Sequence, residues 1–148
     1  MTTIRKASAI TLLLAIVTVS GYGQKVANYF YGKRGTSAYQ HYSFWADKGK
    51  PTEIIFNAGT SRSESKVTFK GKATFNGKTC FKMTFPNNKV FYVYPIGIKL
   101  AVVNASTKKI ETFNWEYEGP VDGRGTFCEV CAQDEKEAMT LMKASYLK

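Results

Sequence analysis

Over most of its length the chain alternates apolar and polar residues with a period of two, the spacing of strands that bury one face. The cleanest stretch runs from Val67 to Phe85. Its first arm sets Val67, Phe69, Gly71 and Ala73 on one side and Thr68, Lys70 and Lys72 on the other. The returning arm sets Thr79, Phe81, Met83 and Phe85 on one face, with Cys80, Lys82 and Thr84 opposite. Asn76-Gly77 turns the chain between them. A two-residue type I′ loop is the usual geometry for Asn-Gly, but carried along both arms it pairs Phe69 with Thr84 and Ala73 with Cys80. A three-residue loop, Phe75-Asn76-Gly77 with a bulge at Gly77, pairs Thr74 with Lys78, Phe69 with Met83 and Val67 with Phe85. A buried face fixes register, so the bulged loop is predicted, with Cys80 on the outer, lysine-bearing face.

The same alternation recurs on both sides of this hairpin. Tyr29-Phe30-Tyr31 reads as a short strand. From Ser37 to Asp47, Tyr42 and Phe44 face one way and His41, Ser43 and Trp45 the other, and Pro51–Asn57 returns. A bulged loop ending at Gly49 would pair Phe44 with Thr52, Tyr42 with Ile54 and Gln40 with Phe56, placing His41 opposite Ile55. Val90–Tyr94 is a strand, and the almost unbroken apolar run Ile98–Val103 predicts one covered on both faces. Ile110–Tyr117 aligns Phe113, Trp115 and Tyr117. Thr126–Cys131 has the pattern of a last strand. The periodicity switches to 3.6 at residues 134–147, a helix capped by Asp134 with Glu137 three residues on. These elements predict a mainly β fold: an antiparallel meander barrel or sandwich of about eight strands with one C-terminal α-helix. In outline the layout resembles the lipocalin-type group of small barrels, although the Gly-x-Trp opening of that group is missing.

Composition adds a compartment. Residues 1–23 read as a signal peptide: Arg5 and Lys6, an apolar run from Ala7 to Val19, then Gly21-Tyr22-Gly23 as a small-x-small cleavage site. The apolar run is shorter than the about 20 residues a membrane span needs, so no transmembrane segment is expected in the mature chain. Residues 24–148 form a single β-rich domain, expected to be secreted or periplasmic. The formal charge of the 148-residue chain is +10. The signal carries two basic and no acidic residues, which leaves +8 on the mature chain. The lysines are scattered along strands and read first as solvated faces, second as affinity for an acidic partner.

Candidate chemistry is sparse. Cys128-x-x-Cys131 has redox-dithiol spacing, and a capping pattern Thr126-x-x-Glu129 would place both cysteines on the first turns of a helix. If Thr126–Cys131 is instead a strand, their Cα atoms lie about 10 Å apart, too far to bridge. In an oxidising compartment a disulfide from Cys80 to Cys128 or Cys131 is the leading alternative, beside a local bridge or inert thiols. Three cysteines and one histidine make a poor zinc set. His41 has no nucleophile motif near it, and Gly119–Gly125 lacks the ending of a phosphate-binding loop. No dedicated nucleic-acid motif, metal site or cofactor is expected. The expected function is a non-enzymatic module binding an apolar small molecule or a partner, with Tyr42, Phe44 and Trp115 as ligand-facing aromatics. A thiol-disulfide protein using Cys128 and Cys131 and a basic protein binding an acidic macromolecule are the alternatives.

Overall fold

The computed structural model describes residues 23–61, 63–117 and 128–148. Residues 1–22 of the predicted signal segment, and Thr126 with its capping pattern, lie outside the described residues. Eight strands follow one another as a meander: β1 (Gln24–Tyr31), β2 (Gln40–Asp47), β3 (Lys50–Ala58), β4 (Glu64–Phe75), β5 (Lys78–Thr84), β6 (Val90–Ile96), β7 (Lys99–Asn104) and β8 (Ile110–Glu116). Every neighbouring pair is antiparallel, and β8 returns to β1 with Tyr29 opposite Trp115, so the sheet closes into a barrel. Closure removes most of the exposed edge that an open sheet would carry. One helix, α1 (Glu135–Ser145), follows the strands.

Two strands turn the corners. β4 pairs with β3 only from Glu64 to Val67 and with β5 from Thr68 onward. β8 pairs with β7 from Ile110 to Phe113 and with β1 from Asn114 to Glu116. Below these switches the wall parts at two places. Beside β1 the gap is filled by the segment leading to α1: Val26 N–H donates to Val130 O at 2.9 Å and Ala132 N–H to Val26 O at 2.9 Å. Beside β3 it stays open.

Both predicted hairpin loops are corrected, for one physical reason. Asn76 and Gly77 have φ of 46° and 74°, and Phe75 lies opposite Lys78, which is the two-residue type I′ turn. Phe69 nevertheless lies opposite Met83, because the extra residue sits inside β4 at Gly71 (φ 95°) rather than in the loop. The bulge flips the rest of the strand, so Ala73 joins Cys80 on the outer face instead of the core. The β2–β3 hairpin repeats the device. Lys48 and Gly49 (φ 50° and 75°) form the turn, a bulge follows, and Phe44 then meets Ile54, Tyr42 meets Phe56 and His41 meets Asn57. The twist of paired strands favours primed turns, and a bulge downstream restores the hydrophobic register.

The interior is filled by aromatic rings. Tyr29, Tyr42, Phe44, Phe81 and Phe113 are sealed from solvent and meet mostly edge to face. The helix closes one end. Asp134 caps it, accepting from Glu137 N at 2.7 Å, and Glu135 and Glu137 occupy its first turn, where they suit the helix dipole. Ala138, Met139 and Met142 join the core. Tyr146, just past the helix, packs on Phe44, Phe69 and Phe81. Its hydroxyl donates toward Trp45 O (2.5 Å) and Glu53 O (3.2 Å), carbonyls beside the β2–β3 bulge. The plug thus binds backbone groups next to the irregularity that sets the register.

Candidate binding surface

The three aromatics proposed to face a ligand do point inward, but Tyr42 and Phe44 are 1% and 0% exposed and are enclosed by neighbouring rings. They are core residues and present no surface to a small molecule. Trp115 is half-buried on the same inward face, with its indole N–H buried and unpartnered.

The cysteines also divide differently from the leading expectation. Cys128 and Cys131 lie at disulfide distance from each other, with Cα atoms 5.3 Å apart. A turn brings them together, with Cys131 N–H directed at Cys128 O, so the described part of the strand predicted over Thr126–Cys131 is a turn, with only Cys131 bridged to Val26. Gln133 braces the turn by donating to Cys131 O at 2.8 Å and Cys128 O at 3.3 Å. Because α1 begins after Asp134, neither sulfur lies on its first turn. Cys80 is a buried free thiol whose pKa is raised by burial. It lies on the outer face, as expected, and stays a free thiol while Cys128 and Cys131 lie at disulfide distance from each other, in place of the expected bridge from Cys80.

On the outside of β1, β2 and β8 a polar cluster has formed around the lone histidine. His41 is fully buried, and neither ring nitrogen has a hydrogen-bond partner. Tyr39 stacks on it and donates to Glu116 Oε2 at 3.0 Å, Arg34 pairs with Glu116 Oε1, and His41 Nε2 lies 3.8 Å from Glu116 Oε2. Burial, and then the charge of Arg34, lowers the His41 pKa to about 4. Burial raises that of Glu116 against the opposing effect of Arg34. The imidazole is therefore neutral at pH 7.

The outer wall from β4 to β7 is different in kind. Between Ser65 and Ile110 the sequence holds nine lysines and no acidic residue. The signal was present in the sequence, but it emerges only when acids are counted alongside bases, because no two of the lysines are adjacent except Lys108-Lys109. On this wall Cys80, Ala101 and Val103 are sealed beneath Tyr94, Tyr92 and Phe75, which explains why the apolar run in β7 is covered on both faces. Phe75 and Tyr92 stack at 5.2 Å. Lys78 Nζ sits 4.7 Å over the Tyr94 ring and Lys108 Nζ 5.5 Å over Phe75. Lys82 lies opposite Tyr92 on the same face. The result is a pair of stacked, half-buried rings, Phe75 and Tyr92, over the buried Tyr94 and edged by ammonium groups.

Beside this wall lies a groove of about 560 Å³, where β3 and β4 have parted. Ile54, Val67, Phe69 and Tyr146 line it together with Glu53 and Lys66, which pair at 3.3 Å. The class defined by this geometry is a small closed antiparallel barrel plugged by a C-terminal helix. The chain matches no protein-family model, no curated protein and no solved structure, so the lipocalin-type likeness remains one of layout. Among the described residues no helix is long and apolar enough to cross a membrane, and no group of three or more His, Cys, Asp or Glu side chains is placed to hold a metal ion.

Proposed function

We propose that the protein is an exported, non-enzymatic binding barrel that recognises an acidic macromolecule through the outer wall of β4–β7. The observation that carries this reading is the lysine-edged pair of half-buried rings Phe75 and Tyr92, backed by the buried Tyr94, on a stretch without a single acidic residue. A solvated face needs no stacked aromatic pair, and a core needs no lysines. Together they supply long-range attraction and a flat apolar contact for a negatively charged partner. The packed interior at Tyr42 and Phe44 argues for the outside of the barrel over its lumen as the binding region.

Binding of poly-glutamate and of heparin, measured by fluorescence anisotropy at low salt, tests this. Replacing Lys78, Lys82 and Lys108 with Glu should weaken both by about ten-fold or more, since each reversal replaces attraction with repulsion. Reversing Lys136 and Lys143 on α1 should have little effect. Equal losses in the two variants, or no binding by the native protein, would overturn the reading.

A further inference from the structure

We propose that the groove between β3 and β4 accepts an extended acidic segment of a partner protein, added as a strand along the open edge of β4. The proposal rests on the acidic-partner reading and names the form that the partner takes. Its starting point is backbone chemistry. From Thr68 to Phe75, β4 is paired with β5 on one side and, among the described residues, with no strand on the other. Lys50–Glu53 of β3 is likewise paired with β2 alone. Two stretches of strand therefore flank the groove with one ladder side each unfilled, and such an edge is a template for a further strand.

The side chains define what would fit. A strand presents alternate residues to opposite faces. One set would lie over Ile54, Val67, Phe69 and Tyr146 on the groove floor. The other would face out beside Lys66 and Lys70, both exposed. That favours a segment alternating apolar and acidic residues. The same lysines, and the bulge at Gly71, disfavour a second copy of this chain, because lysine-rich edges would meet each other. An acidic strand avoids that clash of lysines, and the carboxylate that lines the groove, Glu53, is paired with Lys66 at 3.3 Å. Once seated, it would extend the cationic β4–β7 wall by one strand, so the two surfaces would act on one partner.

A labelled ten-residue peptide of alternating Glu and Val distinguishes strand addition from charge attraction. Two derivatives carry N-methyl groups on alternate amides, one on all Val and one on all Glu, which keeps the charge and removes one side of the ladder. The unmodified peptide should bind and should slow hydrogen exchange of amides within Thr68–Phe75. At least one methylated derivative should lose about ten-fold or more in affinity, the sum of several modest hydrogen bonds. Lys70→Glu should weaken the unmodified peptide. If both derivatives bind as the parent does, strand addition is overturned while the acidic-partner reading stands. If the peptide fails and heparin or poly-glutamate binds, the result is the same. If none of the three binds, both fall.

Discussion

At the residue scale, His41 shows what burial without partners does to a titratable group. Both of its nitrogens are sealed and unsatisfied, and its pKa is lowered to about 4 by burial first and Arg34 second. In the unfolded chain an imidazole titrates near 6.5. Between those values the unfolded state binds the extra proton, so stability is lost as pH falls through this window. The loss amounts to about 3 kcal/mol at most. Glu116 acts in the opposite sense, because its raised pKa lets the folded state take up a proton more readily than the unfolded one. Arg34 and Tyr39 hold that carboxylate and stay protonated throughout. His41→Leu, close in volume and without polar atoms, should remain within about 1 kcal/mol of the native protein at pH 7, since no hydrogen bond is removed. It should flatten the pH dependence between 6.5 and 4. Urea unfolding at a series of pH values reads both effects, and an unchanged slope would show that His41 is not the group responsible.

At the element scale, the sequence showed the strands and the helix but misplaced the bulges. Alternation is a local signal and is plain along β4, while β1 and β7 each bury four consecutive residues, and Asp134 with Glu137 marks the helix start as predicted. A bulge moves one residue without altering the pattern nearby, so its position can be inferred only from which pairs meet across the sheet. Phe69 opposite Met83 was legible from burial, whereas the extra residue at Gly71 was not. Trp45 O and Glu53 O needed a donor near their bulge, and Tyr146 supplies it from 93 residues or more away, a link no local reading could find. The two turns also differ in fitness. Asn76-Gly77 suits its left-handed pair of conformations, while Lys48 (φ 50°) holds the same conformation with a side chain poorly suited to it. Lys48→Asn should therefore raise stability by a few tenths to about 1 kcal/mol with the register unchanged. Thermal and urea unfolding measure the gain, and a destabilised variant would mean that the Lys48 side chain makes a contact worth more than the relief of its backbone.

At the scale of the whole molecule, charge is sorted by position around the barrel. The nine lysines from Ser65 to Ile110 fall in a stretch of sequence without acids, and the acids lie on β2, β3, the start of β4, β8, residues 118–129 and the first turn of α1. At the two ends of that stretch the two sets meet, where Lys66 pairs with Glu53 at 3.3 Å and Lys109 with Glu111 at 3.2 Å. Composition alone hid this, because a net charge cannot distinguish evenly mixed charges from a stretch that holds lysines and no acids. The candidate surface was legible in the residues and illegible in the total. An asymmetric distribution of this kind acts before contact, by orienting the protein as a negatively charged partner approaches. Steering belongs to the association step, and the aromatic pair contributes after desolvation, so the two terms separate kinetically. Stopped-flow binding to poly-glutamate should show an association rate that falls steeply between low and physiological salt, with a much smaller change in dissociation. Lys82→Glu, remote from the groove floor, should lower the association rate and its salt dependence together. Replacing Tyr92 with Ala should instead speed dissociation and leave the salt dependence of association nearly intact. An association rate insensitive to salt would mean that the sorting of charge around the barrel has no part in recognition.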